Sequence, residues 1–280
     1  MRAHICGVRG STPAPGAEFV RYGGHTSCIA LSPDGHDAPT LVLDAGTGIR
    51  RVTELLGGEP FHGAVLLTHL HWDHVQGLPF FGSGDRDAST VRLLVPEQEP
   101  GEDVLASLAR GMSPPHFPIR PDGLRGHWSF EPVPAGRFEA GGFEVLAVEV
   151  PHKGGRTLGY RVTDGASTIA YVPDHCPTEL GPGGDGLGEH HPAIIELAQG
   201  VDLLAHDAQL LPAEVPAEAA FGHAAADYAV GLGQAAGAGC VLLFHHRFDR
   251  TDTALDCLAA RFSASTPAVR VATEGTTLDV

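Results

Sequence analysis

Ala64-Val65-Leu66-Leu67-Thr68-His69-Leu70-His71-Trp72-Asp73-His74 is the stretch whose reading decides this chain. A short, continuous apolar run, Ala64 to Thr68, is what a strand covered on both faces requires. Its end delivers the imidazoles to the sheet edge, where α/β proteins place their chemistry. His69 and His71 are two apart, so on extended backbone they point the same way and can chelate one ion. Asp73 and His74 lie where the chain turns away and can face a second ion, as in a two-metal hydrolytic centre. The bland alternative is a histidine-rich loop without metal, in a chain that has 17 histidines. Four ligand types in six positions, correctly alternated, favour the metal.

Composition narrows the classes. At 280 residues the chain buries a substantial core and reads as a single domain over 1–280. An apolar content of 42% is ordinary, and no stretch is long and apolar enough to span a bilayer. Met1-Arg2-Ala3-His4-Ile5-Cys6 runs straight into a strand without the apolar core of a secretory leader, so a cytoplasmic protein is expected. The five cysteines contain no C-x-x-C pair and read as reduced, mostly packed thiols, with Cys176 close to a ligand loop. The net charge is −16 and the 18 Lys and Arg are dispersed, which argues against a nucleic-acid polymer as partner. Bound cations would add local positive charge, so a small anionic substrate fits.

His69-Leu70-His71-Trp72-Asp73-His74 matches the H-x-H-x-D-H signature, and here the chain resembles the metallo-β-lactamase superfamily. The resemblance runs along nearly the whole chain. Arg9-Gly10-Ser11-Thr12-Pro13, Tyr22-Gly23-Gly24-His25-Thr26-Ser27-Cys28 and Leu43-Asp44-Ala45-Gly46-Thr47-Gly48 are similar to the opening strands of its ribonuclease Z-like and cyclic-nucleotide-phosphodiesterase-like branch. True β-lactamases are less similar.

A coarse pass predicts strands near 3–8, 27–31, 40–44 and 63–68, with a helix near 48–57. Strands follow near 91–95, 143–150, 157–163 and 167–172. The remainder alternates: helix 192–199, strand 201–205, helix 223–236, strand 240–245, helix 252–262 and strand 268–273. That order suits an α/β architecture, an αββα sandwich of two mixed β-sheets with helices on the outer faces, which the resemblance also implies. After a helix near 102–110, residues 111–123 are too rich in proline for a regular element. They give a proline-rich lid insertion near 100–127 that carries His116 and Phe117 over the cleft, or else a plain surface connection. Residues 181–191 read as a flexible glycine-rich insertion whose His190 and His191 are solvated rather than liganding.

Other strand ends complete the metal shell. The run Phe143 to Val150 ends at Pro151-His152-Lys153-Gly154-Gly155, which offers His152 as the third nitrogen beside His69 and His71. Tyr171-Val172-Pro173-Asp174 offers Asp174 as a carboxylate spanning both ions. Asp174 matches the family's bridging aspartate, although Pro173 stands where the family has Gly. Cys240-Val241-Leu242-Leu243-Phe244-His245-His246 ends another apolar strand. Counting from that strand, and by similarity to the branch, His245 joins Asp73 and His74, with His246 its competitor because adjacent strand residues point oppositely. Two Zn²⁺ are the default for imidazole and carboxylate donors, and the same set accepts Mn²⁺ or Fe. Asp44 and Thr68 are candidate supports for the imidazoles.

The resemblance also implies a relay. In ribonuclease Z-like enzymes an acidic residue and a His form a pair near the scissile phosphate, and Asp207 and His223 match it, although Ala224 replaces the usual Ser. A carboxylate-oriented His223 can protonate the departing oxygen, and Asp73 can orient the attacking water while it ligates. A metal-dependent phosphodiesterase acting on a small phosphodiester such as a cyclic nucleotide is the leading expectation. A hydrolase of lactone, thioester or β-lactam bonds, a non-catalytic metal or ligand binder, and a transfer-RNA processing enzyme are its rivals, the last opposed by the acidic charge. By analogy with the family a homodimer is expected. His25 stands where the branch carries Asn, as a substrate contact or a turn residue.

Overall fold

The computed structural model describes residues 1–134 and 136–280. Two seven-stranded sheets lie face to face. The first contains β1 (Arg2–Gly7), β2 (Cys28–Ser32), β3 (Leu41–Leu43), β4 (His62–Leu66), β5 (Thr90–Val95), β6 (His127–Pro132) and β14 (Thr277–Asp279), in the order β14-β1-β2-β3-β4-β5-β6. The second contains β7 (Gly136–Ala140), β8 (Phe143–Glu149), β9 (Leu158–Thr163), β10 (Thr168–Val172), β11 (Leu203–Asp207), β12 (Cys240–Phe244) and β13 (Ala268–Val271), in the order β13-β12-β11-β10-β9-β8-β7. Both are mixed. The β3 to β6 and β10 to β13 halves are parallel, and the remaining pairings are antiparallel.

Seven α-helices accompany them among the described residues: α1 (Arg50–Leu55), α2 (Trp72–Val75), α3 (Val104–Ala109), α4 (Pro192–Ala198), α5 (Val215–Glu218), α6 (Ala226–Ala236) and α7 (Asp252–Arg261). Strand periodicity explains how the layers stick together. Along β4, Ala64 and Leu66 face the second sheet, while Val65, and Leu67 just beyond it, face the layer holding α1 and α3. Along β12, Leu242 and Phe244 enter the space between the sheets, while Val241 and Leu243 meet α4, α6 and α7. Both faces being covered, residues 64–66 of β4 and 240–244 of β12 are each an unbroken apolar run. Each fully buried Leu or Phe contributes roughly 1.5–3 kcal/mol over its exposed state. This is the αββα sandwich.

Three strands escaped the sequence reading. The edge strand β6 is only partly buried along His127-Trp128-Ser129-Phe130-Glu131-Pro132, β7 pairs on one side only, and β14 has three residues. None carries a strong alternation. One boundary is corrected. Residues 223–225, expected to open a helix, are extended: Ala225 bridges Leu210, and the Ala224 amide donates to Asp207, so the helix starts at Ala226. The glycine-rich stretch 181–191 holds no helix or strand apart from its lead-in, and Leu187 anchors it in the core beneath α4 and α6.

Candidate metal centre

The carboxyl ends of β4, β10, β11 and β12, with the turn after β8, converge on one patch. After β4 the backbone leaves the sheet and enters α2, which puts Asp73 and His74 on its first turn. His69, Asp73, His74, Asp174 and His245 are buried, and His71 and His152 partly so. Donor atoms of His69, His71 and His152 lie within 4.8 Å of one another. So do those of Asp73, His74 and His245, and those of His69, His74 and Asp174. Asp174 therefore stands between the two groups. Its Oδ2 is 2.9 Å from His74 Nε2 and 3.3 Å from His245 Nε2, and its Oδ1 is 3.4 Å from His152 Nε2.

Hydrogen bonds outside the cluster settle which nitrogens are free. His74 Nδ1 donates to Asp44 Oδ2 at 2.7 Å, and His152 Nδ1 donates to the Gly222 carbonyl at 2.7 Å. Thr68 Oγ1 gives its own proton to Asp44, so at 3.1 Å it accepts from His69 Nδ1. All three rings thus turn an Nε2 lone pair inward, the orientation that outer acceptors impose on liganding histidines. Inside, lone pairs face lone pairs: His74 Nε2 and His245 Nε2 are 3.3 Å apart, as are His152 Nε2 and His71 Nδ1. His69 Nε2 is buried without any hydrogen-bond partner, and Asp174 Oδ2 faces only the inward Nε2 atoms of His74 and His245. Such a cradle is stable only around positive charge, and nitrogen and carboxylate donors of this kind suit divalent transition metals.

The electrostatics agree. Burial and the neighbouring His74 push His69 well below its ordinary range, and burial and His152 lower His71, so both present neutral nitrogens. Burial alone would raise Asp73 and Asp174, but adjacent imidazoles overrule it and hold both ionised. Burial would likewise lower His74, yet Asp174, Asp73 and Asp44 raise it well above normal. A proton there does in the metal-free chain what a cation does when bound.

His245 and His246 part company at the end of β12. His245 takes a left-handed φ of 58°, which turns its Nε2 to 3.1 Å from Asp73 Oδ2. His246 points the other way and donates from Nε2 to the Ala272 carbonyl. Ser11 and Asp44 are the other non-glycine residues with positive φ, at 65° and 61°, among the described residues. All three left-handed positions touch the centre, where backbone strain concentrates when surrounding packing enforces it. Ser11 spends its amide on Asp73 Oδ2 at 2.7 Å, rather than leaving it for substrate. Asp207 and His223 also meet, with His223 Nδ1 3.1 Å from Asp207 Oδ2 and 3.7 Å from Asp174 Oδ1. Asp207 is held by the amides of His175, Gln209 and Ala224.

The glycine-rich segment Gly7 to Ser11 reads in the sequence as a source of amides for substrate oxygens, and the structure gives the Ser11 amide to Asp73 instead, while the Gly222 carbonyl and the Tyr171 hydroxyl, which donates to Asp44 Oδ2 at 2.9 Å, left no mark in the sequence. Tyr171 was visible only as a buried strand residue. The four histidines for which the sequence left a role open lie outside the cluster. His25 bonds Thr47 and sits beside Glu274, His190 and His191 pack near Tyr228 and at the start of α4, and His116 lines a neighbouring cavity of about 780 Å³. Phe117 lines it too, so the proline-rich segment walls the space next to the centre.

A family model described as the β-lactamase superfamily domain matches residues 40–246, most of the chain. The chain belongs to the metallo-β-lactamase superfamily. Solved structures of this fold align with the metallo-β-lactamase domain end to end. Zn²⁺-bound PqqB from Methylobacterium extorquens aligns with a TM-score of 0.70 at 20% identity, covering 100% of both chains. Human tRNase Z, short form, gives 0.68 at 18% identity over 100% of this chain and 99% of its own. A diphosphatase of the PhnP family gives 0.67 at 16% identity over 100% and 97%. At such identities the likeness is one of fold. No curated protein sequence matches the chain. A metallo-β-lactamase fold with these histidine and aspartate clusters fits a metal-dependent hydrolase. No helix among the described residues is long and apolar enough to cross a membrane.

Proposed function

We propose that this protein is a dinuclear metal-dependent phosphodiesterase acting on a small anionic phosphodiester, such as a cyclic nucleotide. His69, His71 and His152 would hold one Zn²⁺, Asp73, His74 and His245 the other, and Asp174 both. When bound, such cations polarise a phosphoryl oxygen and acidify the attacking water. The remaining work falls to side chains of the chain. Asp73, fixed by the Ser11 amide, is placed to accept a hydrogen bond from that water and orient it. His223 gives its Nδ1 proton to the hydrogen bond with Asp207 and keeps its Nε2 proton for the departing oxygen. Burial disfavours its charged form, but Asp207 overrides this and, in the metal-free chain, raises His223 to about 9, so Asp207 is the group that favours the acid form.

The single observation that carries the proposal is this Asp207–His223 pair beside Asp174, a carboxylate-oriented acid placed to protonate a poorly departing oxygen such as that of an alkyl phosphodiester. Two of the aligned structures, a tRNase and a diphosphatase by name, act on phosphorus-centred bonds, which supports the same reading. The zinc in the PqqB structure supports the choice of metal. The test is hydrolysis of bis-(p-nitrophenyl) phosphate and a set of cyclic nucleotides by protein carrying two zinc ions per chain. Release of product from at least one is expected. Zinc-loaded protein that cleaves none, yet opens a lactone or thioester, would overturn the proposal.

A further inference from the structure

The cavity of about 780 Å³ beside the centre has a wall chemistry of its own. Leu70, the residue between the two paired histidines, turns into it, as do Trp72 and Phe80 from the segment after the motif. Met112 and Phe117 close the opposite side, and Phe117 meets Phe80 edge-on with ring centroids 6.0 Å apart. Trp72 and Phe80 are 77% and 57% exposed, which is unusual for large rings in a concave wall unless something covers them. Arg110 is the only Lys or Arg on this wall among the described residues, and it is already paired with Glu102 at 3.4 Å. The rings of Trp72, Phe80 and Phe117 dominate this wall.

The cavity borders the metal-ligand cluster at Leu70, Trp72 and Gly154. Gly154 lines it, and a Cβ on Gly154 would stand 2.7 Å from His71 Nε2. His71 is thus the ligand on the cavity side. The acid is set back from the cavity: ring centroids run from His71 to His152 at 5.0 Å and from His152 to His223 at 5.4 Å, and His223 does not line the cavity among the described residues. A diester whose leaving oxygen faces His223 has the wall of Trp72 and Phe80, next to His71, as the neighbouring space for its other substituent.

Resting on the phosphodiesterase reading, we infer that this cavity is the subsite for the retained ester group, and that it selects an uncharged aromatic substituent stacked against Trp72 and Phe80. Trp72 and Trp128 are the only two tryptophans. In zinc-loaded Trp128→Phe protein, Trp72 emission reports on the cavity directly. Diphenyl phosphate is expected to shift that emission and to bind at least about tenfold more tightly than dimethyl phosphate, the effect of burying one ring. Calorimetric titration of the unsubstituted chain gives the same ratio should Trp128→Phe fold poorly, and Phe80→Ala lowers it. Equal affinity for the two phosphates, or binding of diphenyl phosphate that leaves Trp72 emission unmoved, overturns the subsite. Turnover of p-nitrophenyl phenyl phosphate is read separately. A tenfold preference without any turnover upholds the subsite and removes the phosphodiesterase reading instead.

Discussion

Asp44 Oδ2 accepts the Nδ1 proton of His74 at 2.7 Å from a residue whose own backbone sits in the left-handed region. The same carboxylate takes the Thr68 amide, the Thr68 hydroxyl and the Tyr171 hydroxyl. One buried acid therefore orients His74 directly and His69 through Thr68. Asp44→Asn keeps the shape but offers an NH₂ where an acceptor is needed. Zinc affinity, measured by competition with a chelator, is expected to fall about 10- to 100-fold, the usual loss when an outer partner of a liganding histidine is removed. Unchanged affinity would show that His74 needs no such support.

Asp207 should act on catalysis through His223. The raised His223 value means the acid form persists below about 9 and is lost as pH climbs through it. Cations bound at His152 and Asp174 repel that proton, so the alkaline limb of the loaded enzyme falls below this value. Removing the Asp207 charge moves the limb lower still. In metal-free protein, NMR titration should find His223 near 9 and Asp207→Asn should bring it down toward 6.5 or below. His223→Ala should cost about 10²- to 10⁴-fold in kcat on a diester with a poor leaving group.

The outline of the fold was legible because β4, β10 and β12 are apolar on both faces, and each ends in ligand-type residues. Periodicity and donor chemistry then agree without tertiary knowledge. His245 was chosen over His246 by counting along the strand and by the resemblance, but the left-handed φ that turns its ring was not legible, since no alternation rule anticipates it. Nor was the Ser11 amide on Asp73, a contact made 62 residues apart in sequence. His223 looked helical because Ala224 to Ala226 favour a helix, whereas Asp207 and Leu210 claim that backbone for a bridge. Tertiary hydrogen bonds outweighed local propensity there.

Acid should weaken the fold through buried neutral histidines. His246 is fully enclosed, and burial, only partly offset by its hydrogen bond to Ala272, pushes it down to about 3. Burial and the facing His206 also lower His175. Below pH 6.5 the unfolded chain binds protons at these sites that the folded chain refuses, so stability declines as pH falls from 6.5 toward 3. Each such group contributes about 1.4 kcal/mol per pH unit within its window. His74 and His223 are raised and work in the opposite sense, losing their contribution as pH rises. Melting of metal-free protein between pH 7 and 5 should therefore be less acid-sensitive in His246→Gln than in the parent, and an identical slope in both would remove His246 from the account.

Arg9 ties the amino-terminal loop to the carboxyl-terminal one. Its side chain is fully buried and donates from Nε to the Gly23 carbonyl and from Nη1 to the carbonyls of Arg247 and Arg250. Phe19 lies against the guanidinium, and Asp252 and Glu274 offset part of the cost of its burial. Two residues on, Ser11 holds Asp73, so the loop that Arg9 anchors also aims a metal ligand. Arg9→Lys retains the charge but cannot reach three carbonyls from a single ammonium. Leaving buried carbonyls unpaired costs about 1–3 kcal/mol each, so a loss of a few kcal/mol in urea unfolding is expected. Because Ser11 would drift with the loop, kcat should drop as well, even in protein whose zinc content is unchanged. Full activity in a destabilised Arg9→Lys chain would separate the anchor from Asp73 and confine Arg9 to folding.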